Sequence, residues 1–234
     1  MKRRMFISIL LLTLLLTTAC RSEVHTHTIT GYYSQPAAAD SEPGTINFTD
    51  PLDQEFSIAP PHRAAVKIVS FADVWVLAGG EDVLAATAND AWESYGLDLG
   101  EGVVNIGSPM KPNTELVLGA QPDLVIASSL SPSNLELKET FDRAGIPAAY
   151  FDVSSFQDYL DLLELFTRLT GRPENFETYG TTVKGQVEAA VLKRAVYSFS
   201  PTVLTIQVSG NSVKVKNRED NVLGPMLAEL GCRN

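Results

Sequence analysis

Cysteine is nearly absent from this chain, since only Cys20 and Cys232 occur among 234 residues. Basic residues are also scarce: 18 lysines and arginines stand against 28 aspartates and glutamates, which gives a formal charge of −10. No cluster of lysine or arginine concentrates positive charge after the N-terminus. Phosphate contacts need such a cluster, so the composition excludes nucleic acid as a partner.

The compact motifs that mark many enzymes are missing as well. There is no Gly-x-Ser-x-Gly elbow, no phosphate-binding loop, no His-Glu-x-x-His motif, and no cysteine and histidine paired in one domain. The carboxylates are scattered along the chain in the manner of surface residues. We therefore expect no enzymatic activity.

The N-terminus, by contrast, is rich in signals and has the three parts of a secretory leader. Residues 2–4 are positively charged, residues 6–16 form an almost unbroken apolar run, and small residues at 17–19 precede Cys20. The apolar run is too short to span a bilayer comfortably, and no second run approaches spanning length.

Cys20 stands where a lipoprotein carries its lipidated cysteine. Thr17 occupies the place where that box usually has an aliphatic residue, so an ordinary cleaved signal with a chance cysteine is the alternative. We expect residues 1–20 to be a lipoprotein signal peptide and the mature protein, with a charge of about −13, to be extracytoplasmic and anchored to the membrane through Cys20. Acylation of Cys20 leaves Cys232 without an intramolecular disulfide partner.

Residues 21–46 are rich in Ser, Thr, Ala, Pro and Gly and show no sustained periodicity, which predicts a flexible tether. His25 and His27 lie in this segment two residues apart. They lack a third ligand, so we interpret them as solvated residues rather than a metal site.

From residue 48 onward, short apolar runs alternate with amphipathic segments. The predicted strands are residues 55–58, 65–71, 83–87, 103–106, 124–127 and 148–151. The predicted helices are residues 73–77, 114–120, capped by Asn113, and 135–144. This alternation predicts an α/β fold in which helices cover both faces of a parallel sheet.

Beyond residue 154 the pattern becomes helical. One amphipathic segment ends near Gly171, and a second runs over residues 174–197, although Gly180 and Gly185 lower its helix propensity. Residues 202–208 then predict a strand, Gly210 and Asn211 a turn, and residues 222–230 a helix.

Several stretches in this order match one family. They are residues 50–63 with the following strand, I-G-S-P-M-K-P-N-T-E-L-V-L-G-A-Q-P-D-L-V-I-A at 106–127, A-G-I-P at 144–147, L-T-G-R at 169–172 and N-V-L-G-P-M-L-A-E-L-G at 221–231. The chain resembles the substrate-binding lipoproteins of ABC importers for iron complexes and cobalamin.

The resemblance implies a two-lobed periplasmic-binding-protein-like fold whose parallel sheets are joined by one long helix. It assigns residues 47–172 to the N-terminal lobe, 173–198 to the connecting helix and 199–234 to the start of a C-terminal lobe. Members of the family continue well beyond the point that matches Gly231, so we expect an incomplete second lobe. The chain is then either a fragment of a longer product or a truncated receptor.

The family also implies roles for two residues that follow the predicted strand 103–106, Glu115 and Met110, and Lys111 lies beside Met110. Glu115 matches an acidic residue that pairs with arginines of the permease, although a glutamate in a first helical turn is also favoured by the helix dipole. Met110 resembles the position from which some haem-binding members supply a thioether axial ligand, or it packs against any flat apolar ligand. Lys111 could meet an anionic group of the ligand or be simply solvated.

The remaining candidate ligand contacts are aromatic residues and residues at strand ends. Trp75, Trp92 and Tyr95 would form flat walls for haem, a corrin ring or an aryl siderophore, and Trp75 could equally belong to the core of the lobe. Phe71, Ser128 and Ser129 lie at strand ends that would face the cleft. We interpret His62, which precedes the first core strand, as a surface residue.

The function implied by the resemblance is capture of a small-molecule iron complex and its delivery to an ABC permease and its ATPase. Haem or a ferric siderophore ranks first as the ligand, cobalamin second and a bare metal ion last, and none of them would be a cofactor. The alternatives are a non-functional truncated receptor and a surface adhesion or scaffold module.

Overall fold

A five-stranded sheet forms the centre of the computed structural model, which describes residues 44–196, 199–209, 211–219 and 223–234. Its strands are β3 (Ala64–Val66), β4 (Leu84–Thr87), β5 (Val104–Asn105), β6 (Leu124–Ser128) and β7 (Ala148–Phe151). Their spatial order is β5-β4-β3-β6-β7, and every pairing is parallel. The predicted signal peptide, Cys20, His25 and His27 lie outside the described residues.

Helices cover both faces of this sheet. They are α1 (Val69–Leu77), α2 (Asp90–Glu93), α3 (Thr114–Gly119), α4 (Pro132–Leu135), α5 (Lys138–Ala144) and α6 (Phe156–Leu169). On one face, Trp75 of α1 meets Phe166 of α6 edge to face, with ring centroids 5.1 Å apart. On the other face, Val117 of α3 and Phe141 of α5 are fully buried. The α/β class predicted from the alternating pattern is therefore confirmed.

Three boundaries differ from the sequence predictions. The apolar run 65–71 is not one strand, because β3 ends at Val66 and α1 begins at Val69; a short apolar run is compatible with either a buried strand or a buried helix. The segment 135–144 holds the end of α4 and all of α5, with Pro132 at the first position of α4. The predicted tether ends too late, because Ile46 is buried in a strand.

That strand belongs to a hairpin at the edge of the sheet. β1 (Ile46–Thr49) pairs antiparallel with β2 (Glu55–Ile58), and the connecting turn holds Asp50. The Asp50 carboxylate accepts hydrogen bonds from the backbone nitrogens of Leu52 and Gln54 and from the backbone nitrogen of Tyr150 in β7, at 2.9, 3.0 and 3.0 Å. The hairpin thus satisfies a donor on the outer edge of β7 that no neighbouring strand pairs.

Residues 174–195 form one helical run that changes its pitch. It consists of α7 (Glu174–Phe176), a π-helical turn (Glu177–Thr181) and α8 (Thr182–Ala195). Gly180 is buried in the π turn, where a Cβ would lie 2.6 Å from the ring of Phe176. Lack of space therefore explains this glycine. Nothing in the structure explains Gly185, beside which the space is open.

The residues after this run form a second, small β structure. β8 (Thr205–Ser209) pairs antiparallel with β9 (Ser212–Lys216), a strand that our sequence analysis missed despite its alternating V-K-V-K pattern. α9 (Leu223–Glu229) follows, and Thr202 then forms an isolated parallel bridge with Arg233. None of the helices described in the structure has both the length and the apolar character that crossing a bilayer requires.

Lys67, which follows β3, is the least expected residue of the core. Its side chain is fully buried, and its Nζ lies 5.5 Å from the centre of the Phe141 ring with no hydrogen-bond partner among the described residues. Burial lowers the pKa of Lys67 from 10.5 to about 8, because the ammonium form loses its hydration. At neutral pH the lobe therefore holds a buried charge that is offset by an aromatic face alone.

Replacing Lys67 by methionine should raise the free energy of unfolding near pH 7 by about 1–3 kcal/mol, because methionine keeps the apolar length without the buried charge. Between pH values of about 8 and 10.5 the unfolded chain retains the lysine proton that the folded chain has lost. The stability of the original chain therefore rises with pH in this window, and the advantage of Lys67→Met should shrink there.

Urea unfolding near pH 7 and near pH 10 measures this change. The matched control is Lys138→Met, which removes an amine held at 2.9 Å by Asp142 on the surface and should show no comparable shrinkage. An advantage of Lys67→Met that is equal at both pH values would contradict desolvation of the Lys67 amine as its cause.

Candidate functional site

A pocket of about 320 Å³ opens at the edge of the sheet where the parallel strands end. α1 and α6 form its sides, and the loops after β6 and β7 complete it. The residues that line it are Ile68, Ser70, Phe71, Val74, Ser128, Leu130, Val153, Tyr159 and Leu162. Ligands of open α/β sheets bind at the carboxyl ends of the strands, so this pocket is the candidate ligand site.

Two of the predicted contacts meet in this pocket. Phe71, in the first turns of α1, lines it and holds its ring edge to face against Phe151, with centroids 6.5 Å apart. Ser128 lines it from the end of β6. Ser128 stands at the end of a strand as expected, whereas Phe71 lies in α1 and not at the end of the predicted strand 65–71. Contact of either side chain with a ligand stays a prediction.

Hydrogen bonds fix the loop that follows β6. The buried Asn134 side chain accepts from the Ser128 backbone nitrogen at 3.2 Å and donates to the Ser131 hydroxyl at 3.0 Å. The backbone nitrogen of Leu130 donates to the Ser128 hydroxyl at 3.2 Å. The loop therefore presents the Leu130 side chain to the pocket, where it remains 66% exposed. The Ser129 hydroxyl instead donates to the Phe151 carbonyl at 3.2 Å, and Ser129 does not line the pocket.

Trp75 is misassigned as a ligand wall. Its side chain is 0% exposed, and its indole nitrogen donates to the Gly80 carbonyl at 2.8 Å. With the indole held against Phe166 inside the core, no ligand surface can reach it. The structure shows the alternative interpretation, in which Trp75 belongs to the core of the lobe.

Met110 and Lys111 lie in the loop that follows β5, outside the pocket lining. The Met110 side chain is 77% exposed, and Lys111 is exposed beside it. The Ser133 hydroxyl donates to the carbonyl of Pro109 at 3.3 Å, which ties this loop to α4 at the same edge of the sheet. The Met110 thioether is therefore sterically free to meet a ligand.

The aromatic residues after β4 lie outside the pocket lining as well. Trp92 lies in α2 and is half-buried, and Tyr95 follows α2 with 49% exposure. Neither side chain lines the pocket. They share its edge of the sheet, because α2 follows the end of β4.

Tyr159 lines the pocket from α6, within the amphipathic segment that ends near Gly171, and it was not among the predicted ligand contacts. Its hydroxyl donates to the carbonyl of Tyr179 in the π turn at 3.0 Å. Burial, and secondly the nearby Asp73 carboxylate, raise the pKa of Tyr159. Leu130 and Val153 were missed as well, although both directly follow strands and the strand-end rule would have included them.

Glu115 is exposed in the first turn of α3. As predicted, Asn113 caps this helix, and its side-chain oxygen accepts from the backbone nitrogens of Glu115 and Leu116 at 3.0 and 3.2 Å. The cap fixes the start of α3 and holds the Glu115 backbone in a defined position on the surface of the lobe.

A second pocket of about 320 Å³ lies at the opposite edge of the sheet, where the strands begin. His62 and Arg63 line it, but the Arg63 guanidinium is already bound to the Ala120 carbonyl at 2.6 and 2.9 Å. His62 is exposed, as expected. Within the described residues, no three His, Cys, Asp or Glu side chains converge to hold a metal ion.

Together, the parallel sheet, the pocket at its carboxyl edge and the long helical run define a periplasmic-type binding fold. The periplasmic binding protein family model matches residues 69–234. The chain therefore belongs to the periplasmic binding protein family, whose members bind solutes rather than catalyse reactions. No curated protein sequence matches it significantly.

Solved structures share this fold at low sequence identity. The periplasmic haem-binding protein RhuT from Roseiflexus sp. RS-1, in apo form, has a TM-score of 0.61 and 20% identity over 74% of this chain and 65% of its own. IsdE of S. aureus, complexed with haem, has a TM-score of 0.61 and 18% identity over 74% of this chain and 64% of its own.

The siderophore-binding protein BauB, bound to two molecules of acinetobactin and ferric iron, has a TM-score of 0.65 and 15% identity over 81% of this chain and 67% of its own. The chain thus spans about two thirds of the length of these proteins, and 65% of RhuT. At these identities the likeness establishes the fold and leaves the ligand to be argued from the pocket.

Proposed function

We propose that this protein is the lipid-anchored, extracytoplasmic substrate-binding component of an ABC importer. It captures an iron complex, either a ferric siderophore or haem, and delivers it to a permease and its ATPase. Cobalamin is the alternative ligand of the same class of protein. Lipidation at Cys20 supplies the anchor.

The pocket at the carboxyl edge of the sheet carries this proposal. A surface adhesion or scaffold module needs no concave site, whereas Phe71, Leu130 and Val153 surround a cavity at the position where this fold class holds its ligands. The apolar lining suits the organic shell of a chelate, and it offers no ligand set for a bare metal ion.

The mechanism needs no covalent chemistry. The protein binds the complex at the strand ends, diffuses on the membrane surface and docks on the permease through acidic contacts. Conformational change in the permease then releases the ligand. Binding energy, orientation and charge complementarity are the contributions of this chain.

Removing the apolar side chain of Leu130 tests the ligand site. Leu130→Ser should weaken binding of haemin or a ferric hydroxamate by about 5- to 20-fold, because it deletes apolar contact area from the pocket. Folding should be little affected, since the side chain is already 66% exposed. Quenching of intrinsic fluorescence during titration measures the affinity.

The matched control for this variant is Leu192→Ser, which alters a leucine of similar exposure, 71%, on α8. It should leave the affinity unchanged. Equal affinities for Leu130→Ser and the original chain would place the ligand elsewhere.

Met110 is proposed as an axial ligand of haem iron in the case that haem is the cargo. A soft thioether is a suitable ligand for haem iron, and Met110 is exposed at the correct edge of the sheet. Met110→Ala should therefore shift the Soret band of the haem-loaded protein. Met110→Leu restores apolar bulk without sulfur and should give the same shift. Unchanged spectra in both variants reject ligation, and a shift that leucine reverses assigns packing instead.

Glu115 is proposed as a permease-docking residue. Glu115→Gln should reduce cellular uptake of radioactive iron complex several-fold while the ligand affinity in solution stays unchanged, because an exposed carboxylate fixes orientation on a partner. Glu139→Gln, which neutralises an exposed carboxylate on α5, is the control and should preserve uptake. Parallel loss of binding and uptake in Glu115→Gln would contradict a docking role.

A further inference from the structure

The pocket has no charged lining. Its polar members are Ser70, Ser128 and Tyr159, and the other lining side chains are apolar. Burying an anionic group against such a surface leaves its charge without a partner, which is costly. This lining therefore suits a ligand group that is neutral, or one whose compensating charge lies at the rim.

The charged residue that adjoins the pocket lining on α1 is an aspartate. Asp73 lies on α1 between the lining residues Phe71 and Val74, and its carboxylate acts electrostatically on the Tyr159 hydroxyl. That hydroxyl donates to the Tyr179 carbonyl and not to the Asp73 carboxylate. The rim of the pocket at α1 thus attracts a cation.

Lysine and arginine are scarce in the segments that follow the strands at the carboxyl edge of the sheet. The segments that follow the five strands are residues 67–73, 88–98, 106–115, 129–136 and 152–158, and each of them contains at least one carboxylate. Lys111 is the one exposed lysine or arginine in these segments. Lys67 is buried against Phe141 on the opposite face of the sheet from α1. The surrounding field is therefore negative, in keeping with the chain's formal charge of −10.

Resting on the proposed function, we propose that this pocket selects ferric complexes without net negative charge and prefers those that carry a protonated amine, with Asp73 as the residue that sets the preference. Among the proposed cargoes, this favours a neutral or cationic ferric siderophore over haem, whose propionates are anionic. A polyanionic ferric catecholate is disfavoured by the same charges.

Three probes test the preference on the full chain. Ferrioxamine B carries one free ammonium group, its N-acetylated derivative has the same ferric chelate without that charge, and ferric tris-catecholate is a trianion. Fluorescence quenching at low ionic strength should show ferrioxamine B binding about 5- to 10-fold more tightly than the acetylated complex, with the trianion weakest. Added salt should reduce the ratio of the first two affinities.

Two variants test whether Asp73 causes the preference for a complex that carries a protonated amine. Asp73→Asn should bring the affinity ratio of ferrioxamine B to its acetylated derivative close to one. The control is Asp82→Asn, which removes the same charge from the opposite edge of the sheet, beside the second pocket, and should preserve the ratio.

The outcomes separate this inference from the proposed function. Tighter binding of the trianion than of ferrioxamine B, or an unchanged ratio in Asp73→Asn, would overturn the inference while leaving an iron-complex receptor intact. Failure of all three probes and of haemin to bind would overturn the proposed function itself.

Discussion

A parallel sheet whose two faces are both covered is the constraint on which the rest of this structure depends. α1 and α6 occupy one face, and α3 and α5 occupy the other, so neither face can meet a ligand. At the outer edge of β7, the Asp50 carboxylate accepts from the Tyr150 backbone nitrogen and so satisfies one of the donors there. Binding surface is left at the ends of the strands, where loops can expose side chains without uncovering the core. The position of the pocket therefore follows from the covering of both sheet faces rather than from any single residue.

The sequence is informative where local patterns have one physical meaning. Short apolar runs that alternate with amphipathic segments identify the parallel strands. Asn113 identifies the start of α3, because an amide side chain can accept hydrogen bonds from the free backbone nitrogens of a helix. Patterns with two meanings fail: the run 65–71 fits a strand or a helix, and an aromatic residue such as Trp75 fits a core or a ligand wall. Lys67 could not be predicted, since a lone lysine normally indicates a surface, and its burial depends on tertiary packing against Phe141.

The helical run 174–195 is joined to the lobe through backbone carbonyls as well as through apolar packing. The Asn175 side chain donates to the Leu77 carbonyl at 3.0 Å, and the Tyr159 hydroxyl donates to the Tyr179 carbonyl at 3.0 Å. The second of these hydrogen bonds is accepted by the π turn, in which Gly180 leaves space for the Phe176 ring. A pocket residue is thus bonded directly to the start of the long run, which restricts rotation of the run against the pocket.

The lining of the pocket determines which part of a ligand this lobe can hold. A volume of about 320 Å³ lies near the lower limit of small-molecule sites, about 300–1,000 Å³. That volume accommodates the apolar part of a ferric chelate between Phe71 and Leu130. A flat macrocycle could also contact Met110 and Tyr95, which are exposed at the same edge of the sheet. Since affinity depends on how completely the contacted ligand surface is desolvated and matched, the apolar lining and the charge at its rim act together on the choice of cargo that we propose.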